Sequence, residues 1–242
     1  MSTKETFWMG KIVIAIDGQS GCGKSSTAKA VAKILGYTYL DSGAMYRAVA
    51  LHHLNHPFEL TDQGSVQKAL NQVKISFQQN PKTGKQETYL NGQNVEDEIR
   101  EMKVSQNVSK VAAIREIREA MVAQQRALGE AKGVVMDGRD IGSVVFPNAE
   151  LKIFMTANLH TRARRRLEEL SSMGNVTTLE EIKENLAERD RLDSSREESP
   201  LRKMPDAIEV DTSHLQFEDQ VNQVVQLARE KIEKVKSYAS NN

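Results

Sequence analysis

The sequence predicts an α/β fold in three layers, with a parallel sheet between helices and a small inserted antiparallel β subdomain. Short, nearly continuous apolar segments alternate with longer segments of helical periodicity, which is typical of a parallel sheet. VKISFQQNPKTGKQETYLNGQNV instead alternates apolar and polar residues on each side of NPKTGK, which predicts an antiparallel hairpin. The predicted parallel strands lie in KIVIAID, TYLD, GVVMD, LKIFMTA and DAIEVDTS.

Chain length and composition predict one globular domain that buries a substantial core. The 242 residues are 39% hydrophobic and 27% charged, which are ordinary proportions for such a domain. Lys and Arg total 33 and Asp and Glu total 33, so no overall field attracts nucleic acid or an anionic membrane. Cys22 is the only cysteine, which excludes an intrachain disulfide and is typical of a reducing compartment.

The two ends of the chain contribute little to the predicted site. Residues 1–10 are interpreted as an N-terminal extension, with Met9 as an alternative start. The apolar run after them is too short for a signal-peptide core or a membrane span, so we expect a cytoplasmic protein. At the other end, FEDQVNQVVQLAREKIEKVKSYA predicts a long amphipathic helix.

The first predicted strand is followed by the phosphate-binding pattern of a P-loop. GQSGCGKSS contains G-x-x-x-x-G-K-S, and STAKAVAKILG then predicts a helix that stops at Gly36. Glycines let successive N–H groups turn toward phosphate oxygens, and the helix N-terminus adds a partial positive charge. Lys24 is predicted to reach the β and γ phosphates, and Ser25 to bind Mg²⁺. The predicted nucleotide loop comprises Gly18, Gln19, Ser20, Gly21, Cys22, Gly23, Lys24, Ser25 and Ser26.

A second polar cluster, DGRD, begins where the apolar strand GVVMD ends. In a P-loop site, an acid at the end of a second strand lies near the metal. Asp137 is therefore predicted to bind Mg²⁺ directly or through water. These features predict a P-loop NTPase fold that binds a nucleoside triphosphate, and they leave motors, GTPases and kinases open.

Arginine-rich segments supply candidate anion-binding groups in a chain of zero net charge. On one predicted helix, Arg189, Asp193 and Arg196 fall at i, i+4 and i+7 and therefore share a face. This spacing also fits an intrahelical salt-bridge ladder. Thr178 and Glu181 predict a capping box that begins the same helix.

Two more segments extend the basic character. HTRARRRLEEL places Arg162, Arg165 and Arg166 in one stripe, and LDSGAMYR adds Tyr46 and Arg47 after the second strand. A basic helix is commonly a solvated face, but phosphoryl transfer depends on cations placed around the transferring group. We therefore predict an anion site assembled from several segments.

The histidine-rich stretch HHLNHP is a further candidate for chemistry. His52, His53 and His56 could suggest a metal site. No cysteine or carboxylate partner accompanies them, so a surface helix end is the preferred interpretation.

Four segments together resemble bacterial cytidylate kinases, a family of nucleoside monophosphate kinases. They are GQSGCGKSS, LDSGAMYR, VVMDGRDIGSVVFP and ERDRLDSSR, in this order, with the hairpin between the second and third. The likeness covers nearly the whole chain from Lys11. It implies one kinase domain over residues 1–242, with residues 66–104 as an inserted acceptor-binding subdomain and residues 158–176 as a helical lid.

The resemblance also implies the reaction and the residues that perform it. MgATP would donate its γ-phosphoryl group to CMP or dCMP in pyrimidine metabolism, and the protein would be a monomer with no nucleic acid or membrane partner. The implied catalytic residues are Lys24, Arg139, Arg162 and Arg196. The implied CMP-binding residues are Ser42, Ser109, Arg118 and Asp140 at the cytosine, Arg47, Arg139 and Arg196 at the phosphate, Arg189 and Asp193 near the sugar, and Tyr46 lining the pocket.

The hydrogen-bonding groups of cytosine explain why an acid would stand at Asp140 in DGRD. Cytosine presents an amino donor where uracil presents a carbonyl acceptor, so a carboxylate suits cytosine and repels uracil. Gln19 and Cys22 stand where the family often has proline and a small residue, and neither removes a phosphate-binding N–H. A thiol near a helix N-terminus could make the loop sensitive to oxidation, although a small side chain that fills the loop is the preferred interpretation.

Other functions remain open at the level of the residues. The enzyme alternatives are a UMP-preferring kinase, which Asp140 opposes, and a shikimate-type kinase, which the hairpin insert opposes. A different class is a non-enzymatic, nucleotide-dependent RNA-binding module that uses the arginine helices. Zero net charge and the lack of aromatic residues among those arginines oppose that alternative.

Overall fold

The computed structural model describes residues 10–172, 174 and 176–240. Most of the predicted N-terminal extension, including Met9, lies outside the described residues, as do two positions of the predicted lid. No helix in the described part of the chain is long and apolar enough to cross a membrane.

The described residues form strands and helices that alternate along most of the chain. The strands are β1 (Val13–Gly18), β2 (Thr38–Asp41), β3 (Ile75–Gln79), β4 (Gln86–Leu90), β5 (Gln93–Asn94), β6 (Val134–Gly138), β7 (Leu151–Thr156) and β8 (Ile208–Asp211). The helices are α1 (Lys24–Leu35), α2 (Ser42–Asn55), α3 (Gln63–Asn71), α4 (Met102–Ala112), α5 (Arg115–Gly129), α6 (Leu159–Ser172), α7 (Leu179–Ser195) and α8 (Phe217–Ser240). A 3₁₀ turn covers Glu98–Arg100, and a π-helical turn covers Ile141–Val145.

A five-stranded parallel sheet forms the centre of the first of two compact units, which contains residues up to 41, residues 126–195 and residues from 199 onward. Its strand order is β2-β6-β1-β7-β8, and all neighbouring pairs run parallel. Every residue of β1 and β6 is buried, as expected for strands that are covered on both faces. The predicted α/β class is therefore confirmed, and the carboxyl ends of these strands meet at one edge.

Helices α1 and α8 contribute apolar side chains to the same core as the sheet. Val31 of α1 and Val224 of α8 are fully buried with Ile14 and Ile153 of the strands. Helix α1 ends as the sequence predicts, because Gly36 takes a left-handed conformation (φ 66°) and its N–H caps the last turn.

The second unit, residues 42–125 with 196–198, contains the antiparallel sheet. Strands β3 and β4 pair antiparallel around NPKTGK, which confirms the predicted hairpin. A third strand, β5, pairs with β4 across Asn91 and Gly92. Both turn residues have positive φ, 52° and 83°, as a two-residue type I′ turn requires. A separate apolar core joins this sheet to α2, α4 and α5.

Helix α7 both confirms and corrects the sequence prediction. The capping box is present, since Thr178 Oγ1 accepts the Glu181 N–H (3.2 Å) and the Glu181 carboxylate accepts the Thr178 N–H (3.0 Å). The placement of Arg196 on the helix is wrong, because α7 ends at Ser195. The Leu201 N–H then bonds back to the Asp193 carbonyl (2.8 Å), and this turn replaces the next helical turn.

Candidate active site

The glycines of the P-loop are required by geometry. At Gly18 (φ 149°), a Cβ would lie 2.0 Å from the Met155 carbonyl oxygen on β7, so only glycine lets the two strands approach. Gly23 has φ 92° and directly precedes α1. The loop therefore leads from the central strand into a helix N-terminus, which is the arrangement that binds phosphate.

Lys24 lies inside this loop with its ammonium group enclosed. The side chain is buried, and Nζ donates to the Gln19 carbonyl (2.5 Å) and lies 3.6 Å from Cys22 Sγ. Burial lowers the pKa of Lys24. Cys22 is itself buried, which favours its interpretation as a loop-filling side chain over a reactive thiol.

Ser25 and Asp137 are joined on the metal side of the predicted site. Ser25 Oγ donates to Asp137 Oδ2 (2.7 Å), and the Tyr39 hydroxyl donates to Asp137 Oδ1 (2.7 Å). Asp41 pairs in register with Asp137 at the ends of β2 and β6. Burial, and then the charge of Asp41, raises the pKa of Asp137.

This donor set fits Mg²⁺. The ion prefers oxygen ligands and usually keeps several waters, using one or two protein groups together with substrate phosphates. A hydroxyl and a carboxylate beside the P-loop supply those groups. Among the described residues, no group of three or more His, Cys, Asp or Glu is placed to hold a metal.

Asp17 is a buried acid that the sequence prediction did not include. It is the penultimate residue of β1, beside the P-loop, and it accepts hydrogen bonds from the N–H groups of Ile141 (2.8 Å) and Gly142 (2.7 Å). Burial raises the pKa of Asp17 to about 7, although these two N–H donors act in the opposite direction. The carboxylate fixes the segment after DGRD to the central strand. An acid at the end of a fully buried strand is the sequence signal that could have identified it.

Arg139 and Asp193 form an ion pair between DGRD and α7. Arg139 Nε lies 2.8 Å from Asp193 Oδ2, and the carboxylate is buried. Burial opposes the charge of Arg139, but Asp193 outweighs it, so the pKa of Arg139 is raised. An intrahelical pair is present on α7, where Arg191 pairs with Glu188 at an exposed i, i+3 position.

Asp140 and Arg189, the other candidates in this unit, differ in exposure. Asp140 is buried and directly precedes the π-helical turn, and Arg189 is half-buried on α7. Asp140 directly follows Arg139 in the chain, and Arg189 lies about one turn before Asp193 on α7. Their contact with a base or sugar remains a prediction.

Arg162 is a buried residue of the first turn of α6. Its guanidinium donates to the carbonyls of Ala157 (2.9 Å) and Ser20 (3.1 Å) and pairs with Asp190 (2.7 Å). It thereby ties α6 to the P-loop and to α7. A role in a mobile lid remains a prediction.

The rest of the basic stripe has mixed surroundings. Arg165 Nη1 donates to Thr212 Oγ1 (3.0 Å) and Nη2 to the Thr212 carbonyl (2.8 Å), whereas Arg166 pairs with Glu169 one turn along (2.7 Å). Arg164 lies 3.6 Å from Glu168 in an exposed pair. The stripe is therefore a set of separately anchored arginines.

In the second unit, the candidate recognition residues lie on α2, α4 and α5, with Arg196 in the short segment after α7. Arg118 is buried, donates to the Ala112 carbonyl (3.0 Å), and lies with its guanidinium carbon 5.4 Å from the centre of the Tyr46 ring. This pairs an arginine with an aromatic face. Ser42, Tyr46 and Ser109 are also buried, while Arg47 and Arg196 are half-buried.

The histidines at the end of α2 are more buried than the sequence predicts. His52 is buried, so the interpretation of the three as a surface helix end is wrong for this residue. Its ring lies 5.1 Å from that of His56, and His53 packs edge-on against Phe58 at 4.6 Å. Burial, followed by the other two histidines, lowers the pKa of His52.

Comparison with known proteins agrees with this geometry. The family model described as cytidylate kinase matches residues 14–230. A cytidylate kinase of Cytophaga hutchinsonii is 54% identical over 220 residues, covering 91% of this chain and 94% of that protein. A cytidylate kinase of Flavobacterium psychrophilum is 53% identical over 222 residues, covering 90% and 98%.

A solved structure extends the comparison to the fold. It is an uncharacterized protein from Eubacterium ventriosum, with a TM-score of 0.51 and 12% identity, covering 90% of this chain and 99% of that one. At this identity the likeness concerns the fold alone. The family match and the identities above decide the assignment: the chain belongs to the cytidylate kinase family.

Proposed function

We propose that the protein transfers the γ-phosphoryl group of MgATP to CMP or dCMP, yielding ADP and CDP or dCDP. An oxygen of the acceptor phosphate attacks the γ phosphorus in line, and the bond to the β–γ bridging oxygen breaks. The acceptor oxygen is already anionic, because a phosphate monoester has a second pKa of about 6. No general base and no covalent enzyme intermediate is required.

The observation that carries this proposal is the P-loop of this chain, in which Lys24 is enclosed and Ser25 is hydrogen-bonded to Asp137. Lys24 Nζ is held by the Gln19 carbonyl (2.5 Å), and it would exchange that contact for phosphate oxygens. The loop and the α1 N-terminus supply N–H donors for the donor phosphates. Their contribution is positioning and charge stabilisation.

Mg²⁺ would be held by Ser25 and Asp137, directly or through water. When bound, it neutralises charge that develops on the phosphates. Asp137 Oδ2 accepts a hydrogen bond from Ser25 Oγ (2.7 Å), which leaves the lone pairs of Ser25 Oγ available to bind the metal.

Four residues of the first unit are assigned to the acceptor. Arg139 would hold the acceptor phosphate, and Asp193 keeps its guanidinium oriented at 2.8 Å. Asp140 would select cytosine through its amino group and repel the uracil carbonyl. Arg189 and Asp193 are assigned to the sugar.

The second unit supplies groups suited to a base and a phosphate. Ser42, Ser109 and Arg118 are buried polar residues, which offers support for selecting a base by hydrogen bonds. Tyr46 would line the pocket, and Arg47 and Arg196 would bind the acceptor phosphate. The inserted subdomain, residues 66–104, is proposed to serve acceptor binding.

Residues 158–176 are proposed as a lid that excludes water from the transferring group. Arg162 and Arg165 anchor the first two turns of α6 through hydrogen bonds to the carbonyls of Ser20 and Thr212. Lid motion would therefore begin beyond Arg165. We further propose a cytoplasmic monomer that acts without a nucleic acid or membrane partner, and sedimentation velocity with and without substrates tests the monomer.

The deciding experiment is ADP release from MgATP with CMP, dCMP, UMP, AMP and shikimate measured in parallel. We expect preferred turnover of CMP and dCMP. Equal turnover of UMP would keep the kinase but contradict base selection by Asp140. If no acceptor raises turnover, the acceptor assignment is wrong, and salt-dependent RNA binding would then favour the non-enzymatic alternative.

A further inference from the structure

Tyr39 is a buried phenol at the nucleotide edge of the parallel sheet that none of the roles above uses. It lies on β2, two residues before Asp41, opposite Val135 of β6 in the strand register. Its ring is part of the main core, only 8% exposed. The Lys29 ammonium of α1 lies 5.4 Å from the ring centre, so the ring is held beneath that helix.

The Tyr39 hydroxyl is aimed at one carboxylate oxygen of Asp137. It donates to Oδ1 at 2.7 Å, while Ser25 donates to Oδ2 at 2.7 Å. A phenol has an ordinary pKa of about 10, so it keeps its proton near neutral pH and can donate this bond. Each oxygen of the Asp137 carboxylate thus has its own hydroxyl donor.

We propose that Tyr39 is a positioning residue that fixes the rotation of the Asp137 carboxylate and so keeps Ser25 oriented as a ligand for the nucleotide-bound Mg²⁺. A carboxylate held at one oxygen only can rotate about its terminal bond, which is soft. The bond from Tyr39 removes that freedom. Asp137 then accepts the hydrogen bond from Ser25, which would leave the Ser25 lone pairs available to the ion. This assignment rests on the proposed function, specifically on the Mg²⁺ site at Ser25 and Asp137.

Tyr37 provides a matched control on the same segment. Its hydroxyl accepts the Ile12 N–H at 3.2 Å, and among the bonds of the described residues none joins it to Asp137. Y39F and Y37F each remove a single hydroxyl and keep the ring. A loss common to both variants reports packing, whereas a loss confined to Y39F reports the contacts of its hydroxyl with Asp137 and Ser25.

The test measures the affinity of a non-hydrolysable ATP analogue by calorimetry, with Mg²⁺ and with EDTA. The ratio of the two dissociation constants isolates the contribution of the metal from general nucleotide binding. We expect Y39F to reduce this ratio about tenfold and Y37F to leave it within about twofold of wild type, as for loss of one hydrogen bond to a charged group. An unchanged ratio in Y39F overturns the assignment.

A double-mutant cycle with D137N tests whether Tyr39 acts through Asp137. Y39F should reduce the ratio no further in the D137N background, whereas additive losses would overturn the assignment. Melting temperatures of Y39F and Y37F verify that both variants are folded. If the wild-type protein binds the analogue equally with and without Mg²⁺, the metal site of the proposed function is wrong, and this assignment fails with it.

Discussion

The two units hold their candidate site residues in different ways. In the first unit, contacts join distant parts of the chain: Ser25 bonds Asp137, 112 positions away, and Asp17 bonds Ile141, 124 positions away. In the second unit, Arg118 is bonded to the Ala112 carbonyl, six positions away, and faces an aromatic ring. The first-unit contacts link segments that are far apart in the chain, whereas the bond of Arg118 to Ala112 is local.

This difference teaches where substitutions should be most damaging. A buried charge that loses its partner is costly in either unit. Lys24, Ser25 and Asp137 of the first unit are assigned to the transferring phosphates, so substitutions there should affect the chemical step strongly. Substitutions in the second unit should act chiefly on acceptor affinity.

The largest effect is expected at Lys24, the charge enclosed by the P-loop. K24A should reduce turnover at least about a hundredfold while largely sparing the fold, because the charge that stabilises the transferring group is lost. Turnover and melting temperature are compared with those of K33A, an exposed lysine at the other end of α1. Retention of more than about a tenth of the rate would contradict the assigned role.

The ion pair of Arg139 and Asp193 sharpens the comparison with an exposed pair on the same helix. D193N should lower kcat/KM for CMP by about tenfold to a hundredfold, because Arg139 loses the partner that orients it. Initial-rate kinetics at varied CMP provide the measurement. E188Q, which weakens the exposed pair with Arg191, is the control and should change kcat/KM less than twofold. Equal effects of the two variants would remove the distinction between the pairs.

Asp17 predicts a pH dependence of stability with a definite sign. Its pKa is raised to about 7 in the folded state from 3.8, so between these values the folded protein binds a proton that the unfolded chain does not. The contribution of Asp17 to the free energy of unfolding therefore falls as pH rises from about 4 to about 7, by on the order of 1 kcal/mol per pH unit. Denaturant unfolding of wild type and D17N across this range should show their difference shrinking with rising pH.

A carboxylate with the opposite shift is the control for that measurement. The pKa of Asp206 is lowered by its bond to Lys152, so its contribution is present above the unfolded pKa and is lost as pH falls. D206N should show no shrinking difference between pH 4 and 7. A difference between wild type and D17N that does not depend on pH would contradict the raised pKa of Asp17.

Arg118 tests the second unit directly. R118M should raise KM for CMP about tenfold and leave KM for ATP unchanged, as expected if it contacts the base and not the donor. R115A removes an exposed arginine that pairs with Glu119 at 2.9 Å on the same helix, and it should change neither constant. A loss of kcat with unchanged KM in R118M would show that the second unit also acts on the chemical step. The expected difference between the two units would then be wrong.

The smallest effect is expected at the capping box of α7. T178A removes the hydroxyl that accepts the Glu181 N–H and should lower the free energy of unfolding by about 1 kcal/mol. Turnover should stay within about twofold of wild type, since this exposed helix start lies outside the candidate site. A tenfold loss of turnover would assign the start of α7 a part in the reaction.

Much of the fold follows from the sequence because its signals are local. Glycine spacing predicts the P-loop, and the stop of α1 at Gly36 follows from its left-handed conformation. Thr178 and Glu181 predict their own capping box from a spacing of three. The alternation of apolar and polar residues on each side of NPKTGK predicts the hairpin, and short apolar segments predict the strands of the parallel sheet. The end of α7 before Arg196 was not predictable, because a bond from Leu201 back to Asp193 decides it.

By itself, the sequence determined the class of fold, the phosphate loop and the resemblance to a nucleotide kinase family, because each depends on residues a few positions apart. The tertiary structure alone decided which charges meet. Asp137 accepts hydrogen bonds from Tyr39 and Ser25, Asp17 bonds the segment after DGRD, and Asp193 pairs with Arg139. Periodicity places a residue on a face, but only strand order and register decide what that face meets.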